Sequence, residues 1–378
     1  MLEKTLTSAD LPVDNPMQAY QAQFENIMAA SAFSLGKAEK AKKLNNLLNT
    51  LYKHHFESSD AFRKIAYSLG FKADRHCTNL DEHIYVAVRL FKLFELSSIQ
   101  KEDTFKVLSS SGTTSQTPAR IILDKQTSAR QSKVLVNIMQ SVIGKQRLPM
   151  LVIDSEAVAR GKGGFSARTA GIQGLSFFGR KHVYALNDDM SPNWQRISEF
   201  FEVNQGTPVL LFGFTFMIWQ YLVCEAKSAA YQFQSKDAVI IHSGGWKKLE
   251  SQKVDNLSFK KACDEVIKGS KVHNFYGMAE QVGSVFIECE YGHLHAPNMA
   301  DIIVRNPDDL SVCKHGEKGL IQVISTLPTS YPGYSILTED LGRIHGEDDC
   351  LCGRKGKYFE VLGRLPKAEV RGCSDTHA

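Results

Sequence analysis

The side chains best suited to chemistry fall in short stretches spread between position 109 and the C-terminus. Residues 109–118 read SSSGTTSQTP. There Ser110, Ser111, Gly112, Thr113 and Thr114 can wrap backbone N–H groups and hydroxyls round phosphate oxygens. No Gly-Lys-Ser/Thr closes the run, so it is not a Walker loop. In AVIIHSGGW (238–246) an apolar run ends in Ser243, Gly244 and Gly245, baring backbone at a strand end, where open α/β sheets hold ligands. In NFYGMAE (274–280) Gly277 allows close approach, Tyr276 can stack, and Glu280 can hold a hydrated Mg²⁺. Thr338-Glu339-Asp340 sets a carboxylate after an apolar run, suited to a ribose diol, and Gly363-Arg364 precedes Val370-Arg371-Gly372-Cys373. Taken singly, each stretch has a plain alternative: a turn, a solvent-facing glutamate, a tail cysteine with no role.

Thiols and imidazoles form a second group. Cys350-Leu351-Cys352-Gly353 is a paired-thiol turn, and Cys289 lies upstream with His293 and His295 close behind. Two thiolates on a tight turn, with a cysteine and a histidine from elsewhere, would make a tetrahedral zinc site of Cys289, His295, Cys350 and Cys352. His295 is preferred to His293. The competing reading leaves free thiols and surface imidazoles. The chain has eight cysteines, and its first residues, MLEKTLTSADLPVDNP, have neither the basic nor the apolar part of an export signal. A disulfide framework is therefore not expected, and a cytoplasmic enzyme fits.

These groups need elements to hold them. Apolar residues at three- and four-residue steps predict helices over 17–33, 37–56 and 59–69. Beyond Val107, short β-rich runs (150–155, 182–186, 208–213, 238–244, 271–277) alternate with helical stretches (128–143, 194–203, 215–230, 258–268). That alternation implies a layered α/β domain. From Gly283 onward the runs GSVFIECE, ADIIVRN, GLIQVIST and YFEVLGR read as strands joined by turns. The expected division is a helical N-terminal region (1–105), an α/β core (106–282) and a β-rich subdomain (283–378). The apolar stretch around 214–222 is a candidate wall for an apolar ligand pocket, with core packing the commoner role for most of its residues.

Composition narrows the class. Hydrophobic residues are 43% and charged residues 23%, ordinary for a folded globular chain. A net charge of +4 without a long basic run gives no case for nucleic acid. The most apolar run, 208–223, is broken by Gly213, Thr215 and Gln220 and falls short of the roughly 18 residues of a membrane span.

In their order and spacing the motifs resemble those of the adenylate-forming superfamily: a phosphate loop, a glycine loop beside adenine (SGGW), Tyr-Gly-x-x-Glu (YGMAE), the ribose aspartate of Thr-Gly-Asp (here Thr338-Glu339-Asp340) and a Gly-Arg hinge. The phosphate loop departs from the usual Pro-Lys-Gly, reading Pro118-Ala119-Arg120. Five residues follow Cys373, so the superfamily's C-terminal, lysine-bearing domain is expected to be absent. Over its full length, and most closely over 347–375, the chain is similar to the acyl-protein synthetases of the bacterial luminescence fatty-acid reductase complex, the LuxE family. The resemblance implies an AMP-forming ligase that uses ATP and Mg²⁺ to activate a long-chain fatty acid. It also implies acylation of Cys373 and delivery of the acyl group to a reductase subunit, with an acyltransferase or thioesterase as a further partner. Arg371 could favour the thiolate of that cysteine. Phenylacetate-CoA-ligase-like members of the superfamily resemble the Cys-x-Cys-Gly-Arg layout. The alternatives are an acyl-CoA ligase of that type, or a non-catalytic nucleotide-binding subunit.

Overall fold

In the computed structural model, residues 16–109, 118–162 and 166–365 are described. The N-terminal part is helical because its apolar residues recur on one face. Helix Pro16–Met28 buries Tyr20, Phe24 and Ile27, and helix Lys37–Ser58 buries Leu44, Leu47, Leu48, Leu51, Tyr52 and His55. The next helix, Asp60–Ser68, starts where the Ser59 hydroxyl accepts from the Phe62 amide, a standard end for orphaned N–H groups.

The centre of the molecule is a twelve-stranded mixed sheet. One half is parallel, in the spatial order Gly179–Leu186, Leu148–Ser155, Val209–Phe214, Phe233–Ser243, Ile267–Tyr276. Leu148–Ser155 is buried along its whole length, the pattern of a strand covered on both faces. In chain order this is a 2-1-3-4-5 doubly wound arrangement, whose ligands sit beyond the carboxyl ends of the strands. At Phe275–Tyr276 the sheet turns antiparallel and continues through Phe286–Glu288, Leu294–His295, Lys357–Arg364, Ser335–Glu347, Gly319–Ser325 and Ala300–Arg305. The sheet is therefore continuous across position 283. A short strand from the helical part, Val86–Ala87, pairs parallel with Ser335–Glu347.

Helix Thr215–Met217 runs on through a π-helical turn, Ile218–Cys224, into Glu225–Ser228. Two features escaped the periodicity. Helix Ala167–Ser176 lies in a Gly- and Ser-rich stretch, and Lys106–Ser109 pairs with Arg120–Leu123 in a separate hairpin. That hairpin flanks the expected phosphate loop; Ser110 to Thr114 themselves lie outside the described residues, as do Arg371 and Cys373. Among the described residues no helix is long and apolar enough to cross a membrane.

Candidate active site and metal cluster

The parallel half delivers its glycine loop and its tyrosine at adjacent strand ends. Ser243 closes Phe233–Ser243 in register with Phe275, one residue before Tyr276. Gly244 follows with φ +83°, a left-handed conformation that suits glycine, and both Gly244 and Gly245 are exposed. The Thr215 hydroxyl fixes the carbonyls here, lying 3.1 Å from Ser243 O and 2.7 Å from Gly244 O. The same oxygen is 2.9 Å from His242 Nδ1. With the hydroxyl donating to a carbonyl, it accepts from Nδ1–H, which assigns the tautomer and leaves the buried Nε2 without a hydrogen-bond partner. Burial pushes the His242 imidazole down to about 3, so it stays neutral. The Phe214 ring is wedged between two glycines: a Cβ added at Gly171 would stand 3.0 Å from it, and one at Gly244, 3.2 Å.

The antiparallel half brings up the carboxylate and the arginine. Asp340 and Arg364 are partners across Ser335–Glu347 and Lys357–Arg364, so their side chains share a face. Arg364 Nε lies 3.4 Å from Asp340 Oδ1, and the Tyr276 hydroxyl donates to Asp340 Oδ2 at 2.7 Å. Thr338 squares off the strand: its hydroxyl donates to Ile321 O at 2.7 Å and accepts from Asp340 N at 3.1 Å.

Glu280 sits on a 3-10 turn, Ala279–Gln281, and is 6% exposed. Burial pushes its carboxyl up to about 7; the Arg364 charge pulls it down and the Asp340 charge raises it. Those two influences place Glu280 in the same electrostatic neighbourhood. The turn is held from below, where the Tyr331 hydroxyl donates to Glu280 O and the Gln281 amide donates to Val323 O and Gly333 O. A buried carboxylate just beyond the end of Ile267–Tyr276, within reach of the nucleotide motifs, is a fitting ligand for a hard divalent cation.

The metal-ligand candidates converge as the sequence pattern requires. A tight turn after Phe286–Glu288, closed by Cys289 N to His293 O at 2.9 Å, carries Cys289 and leads into His295. The turn between Ser335–Glu347 and Lys357–Arg364 carries Cys350 and Cys352, with Gly353 N donating to Cys350 O at 3.0 Å. The ligand atoms of Cys289, His295, Cys350 and Cys352 all lie within 4.8 Å of one another. Cys289 Sγ is 4.0 Å from Cys350 Sγ, and Cys352 Sγ is 3.4 Å from His295 Nε2. Zinc bonds of about 2.3 Å to sulfur and about 2.0 Å to nitrogen span tetrahedral edges of about 3.8 Å and about 3.5 Å, so the donor set fits. Burial lowers His295 to about 3, which keeps the ring in its ligating, neutral form. His293 lies outside this set, its Nδ1 3.7 Å from Cys350 Sγ. The cluster is roofed by the N-terminal part: Phe33 meets the His295 ring edge-on at 6.2 Å, and Phe33 O accepts from Lys355 N.

Comparison with known proteins places this architecture. The fold matches 2-hydroxyisobutyryl-CoA ligase in an open conformation with 2-HIB-AMP and CoA (TM-score 0.67, 16% identity, 95% of this chain and 80% of that one). It also matches the postadenylation state of the same enzyme (TM-score 0.65, 15% identity, 88% and 69%). The fold is that of an adenylate-forming ligase. The long-chain-fatty-acid–luciferin-component ligase of Vibrio harveyi is 22% identical over 352 residues, 89% of this chain and 87% of that protein. The ligase of the same name from Aliivibrio fischeri is 25% identical over 198 residues, about half the length of each protein (50% and 51%). The family described as "Acyl-protein synthetase, LuxE" matches residues 9–378, and the chain belongs to it.

Proposed function

We propose that the protein activates a long-chain fatty acid as an acyl-adenylate and transfers the acyl group to its own Cys373. The observation that carries the reading is the meeting of Tyr276, Asp340 and Arg364 at the point where the parallel and antiparallel halves of the sheet join. Three of the motifs, far apart in the chain, build one polar corner there.

In this reading Asp340 accepts hydroxyls of the ATP ribose, with Tyr276 fixing its orientation, and Arg364 faces the α-phosphate. The backbone of Ser243, Gly244 and Gly245 lies beside adenine, with Gly277 leaving room for the nucleotide. Residues 110–114 hold the β- and γ-phosphates, where preorganised donors stabilise developing charge. Mg²⁺ bound with ATP would neutralise phosphate charge, and Glu280 is its protein ligand. The fatty-acid carboxylate attacks the α-phosphorus, releasing pyrophosphate and leaving acyl-AMP. The Cys373 thiolate then attacks the acyl carbon and AMP leaves, giving a thioester poised for a second transfer. The acceptor is a fatty-acid reductase subunit of a luminescence complex, with an acyltransferase or thioesterase supplying fatty acid. The acyl chain runs along the Phe214–Leu222 side, near the Phe214 ring.

Zinc at Cys289, His295, Cys350 and Cys352 is structural in this reading, since four protein ligands leave no open position. It ties the hairpin that ends in Arg364 to the strand that leads from Glu280. In this reading the chain divides by role at 105 and 282, one sheet running through the second boundary, with the hinge and the acyl acceptor in the last segment.

Fatty-acid-dependent ATP–pyrophosphate exchange tests the first half-reaction. Exchange that requires fatty acid, and is cut at least tenfold by Asp340→Ala, supports it. Exchange absent under all conditions, with the protein folded, would leave a nucleotide-binding subunit.

A further inference from the structure

The residue before the ribose aspartate departs from the Thr-Gly-Asp pattern, carrying a glutamate where glycine is usual. That glutamate is engaged. Val86 and Ala87 pair parallel with Ile336 and Leu337, and Val88 N donates to Leu337 O at 3.0 Å. Continuing this one-to-one register brings Arg89 alongside Glu339, and Arg89 Nε donates to Glu339 Oε1. The Glu339 carbonyl accepts from Leu365 N at 2.9 Å, at the last residue described before the tail. Successive residues of a strand face opposite ways, so Glu339 points away from the corner that Asp340 shares with Tyr276 and Arg364.

The two side chains are 55% and 25% exposed, and an ion pair so accessible adds little to global stability. Its effect is local. It joins the helical N-terminal part to the middle of Ser335–Glu347, beside Asp340, and through the Glu339 carbonyl to Leu365, just past the end of Lys357–Arg364.

We infer that Arg89 and Glu339 are a positioning pair for the ATP half-reaction, holding the Asp340 stretch of Ser335–Glu347 at the spacing that Tyr276 and Arg364 require. The inference rests on the reading of Asp340 as the ribose ligand. A glycine at 339 has no side chain to anchor, so here the departure from the pattern supplies a second hold on the strand.

The test is fatty-acid-dependent ATP–pyrophosphate exchange in the full chain for Arg89→Ala, Glu339→Gln, the double variant and Arg89→Lys, with Asp340→Ala alongside. Each neutralising single should raise KM for ATP about three- to fivefold, the range of an exposed pair. Their kcat and melting temperature should stay close to wild type. The double variant should match the singles rather than multiply them, and Arg89→Lys should recover most of the loss. Unchanged KM in both singles, or additive losses in the double, overturns the pair. If Asp340→Ala also leaves KM for ATP untouched, the ribose reading itself fails and the pair falls with it.

Discussion

The Tyr276 hydroxyl donates a 2.7 Å hydrogen bond to Asp340 Oδ2, joining the end of the last parallel strand to a carboxylate on an antiparallel strand two hairpins later in the chain. The bond aims the Asp340 carboxylate, with Arg364 on its other oxygen. Removing the phenol oxygen alone should loosen the aim without removing the charge. Tyr276→Phe should therefore raise KM for ATP several-fold, less than Asp340→Ala. A hydrogen bond to a charged group is worth about 1.5–3 kcal/mol, so full loss at Asp340 corresponds to roughly ten- to a hundredfold in kcat/KM. Equal effects of the two variants would show that Tyr276 does more than orient.

Glu280 gives a pH signature. Its carboxyl rises from 4.5 to about 7 in the fold, so between those values the folded protein holds a proton that the unfolded chain has released. Ligand-free stability should accordingly fall as pH rises from about 4.5 to 7, then level off. Glu280→Gln should flatten that slope and raise Tm at pH 8. A metal must displace the same proton, so below pH 7 the Mg²⁺ concentration for half-maximal exchange should rise roughly tenfold per unit. A Mg²⁺ requirement that does not vary between pH 5.5 and 8 would remove Glu280 as the ligand.

Thr215 was not singled out by any motif, yet its hydroxyl lies on both carbonyls of the glycine loop. Thr215→Val keeps the shape and deletes the donor, which costs about 1 kcal/mol per neutral hydrogen bond. Exchange assays should show KM for ATP raised about fivefold at near-normal kcat. No change would mean that the loop is held by its backbone alone.

Why some of this was legible and some not follows from the kind of signal involved. Leu148–Ser155 and Val209–Phe214 are continuous apolar runs between turn residues, and helix Lys37–Ser58 repeats apolar residues on one face; both patterns survive without tertiary context. Trp194–Val203 was bounded correctly for the same reason. Helix Ala167–Ser176 was hidden because glycines at 171 and 174 lower helix propensity; at Gly171 the close Phe214 ring favours glycine. The Cys and His residues of the cluster were readable as a residue inventory, His295 preferred to His293 among them, whereas their approach within 4.8 Å of one another depends on two turns that only the folded sheet brings together. Thr215 and Arg89 act through partners far away in sequence, and no local pattern marks them.

The cysteine cluster makes its own prediction. Freshly purified, untagged protein should carry about one zinc per chain. Cys350→Ser should lower both metal content and Tm, with activity falling only in step with the folded fraction. Metal analysis paired with thermal melting checks this. Protein that is free of zinc yet fully stable and active would leave these residues as buried thiols and an imidazole.

Self-acylation is the centre of the account, and intact-mass analysis reads it directly. Wild-type protein incubated with ATP, Mg²⁺ and long-chain fatty acid should gain the mass of one acyl group, labile to hydroxylamine as a thioester is. Cys373→Ser should gain none while still releasing pyrophosphate. A wild-type mass that never changes, or a Cys373→Ser protein that still acquires hydroxylamine-labile acyl mass, would contradict it.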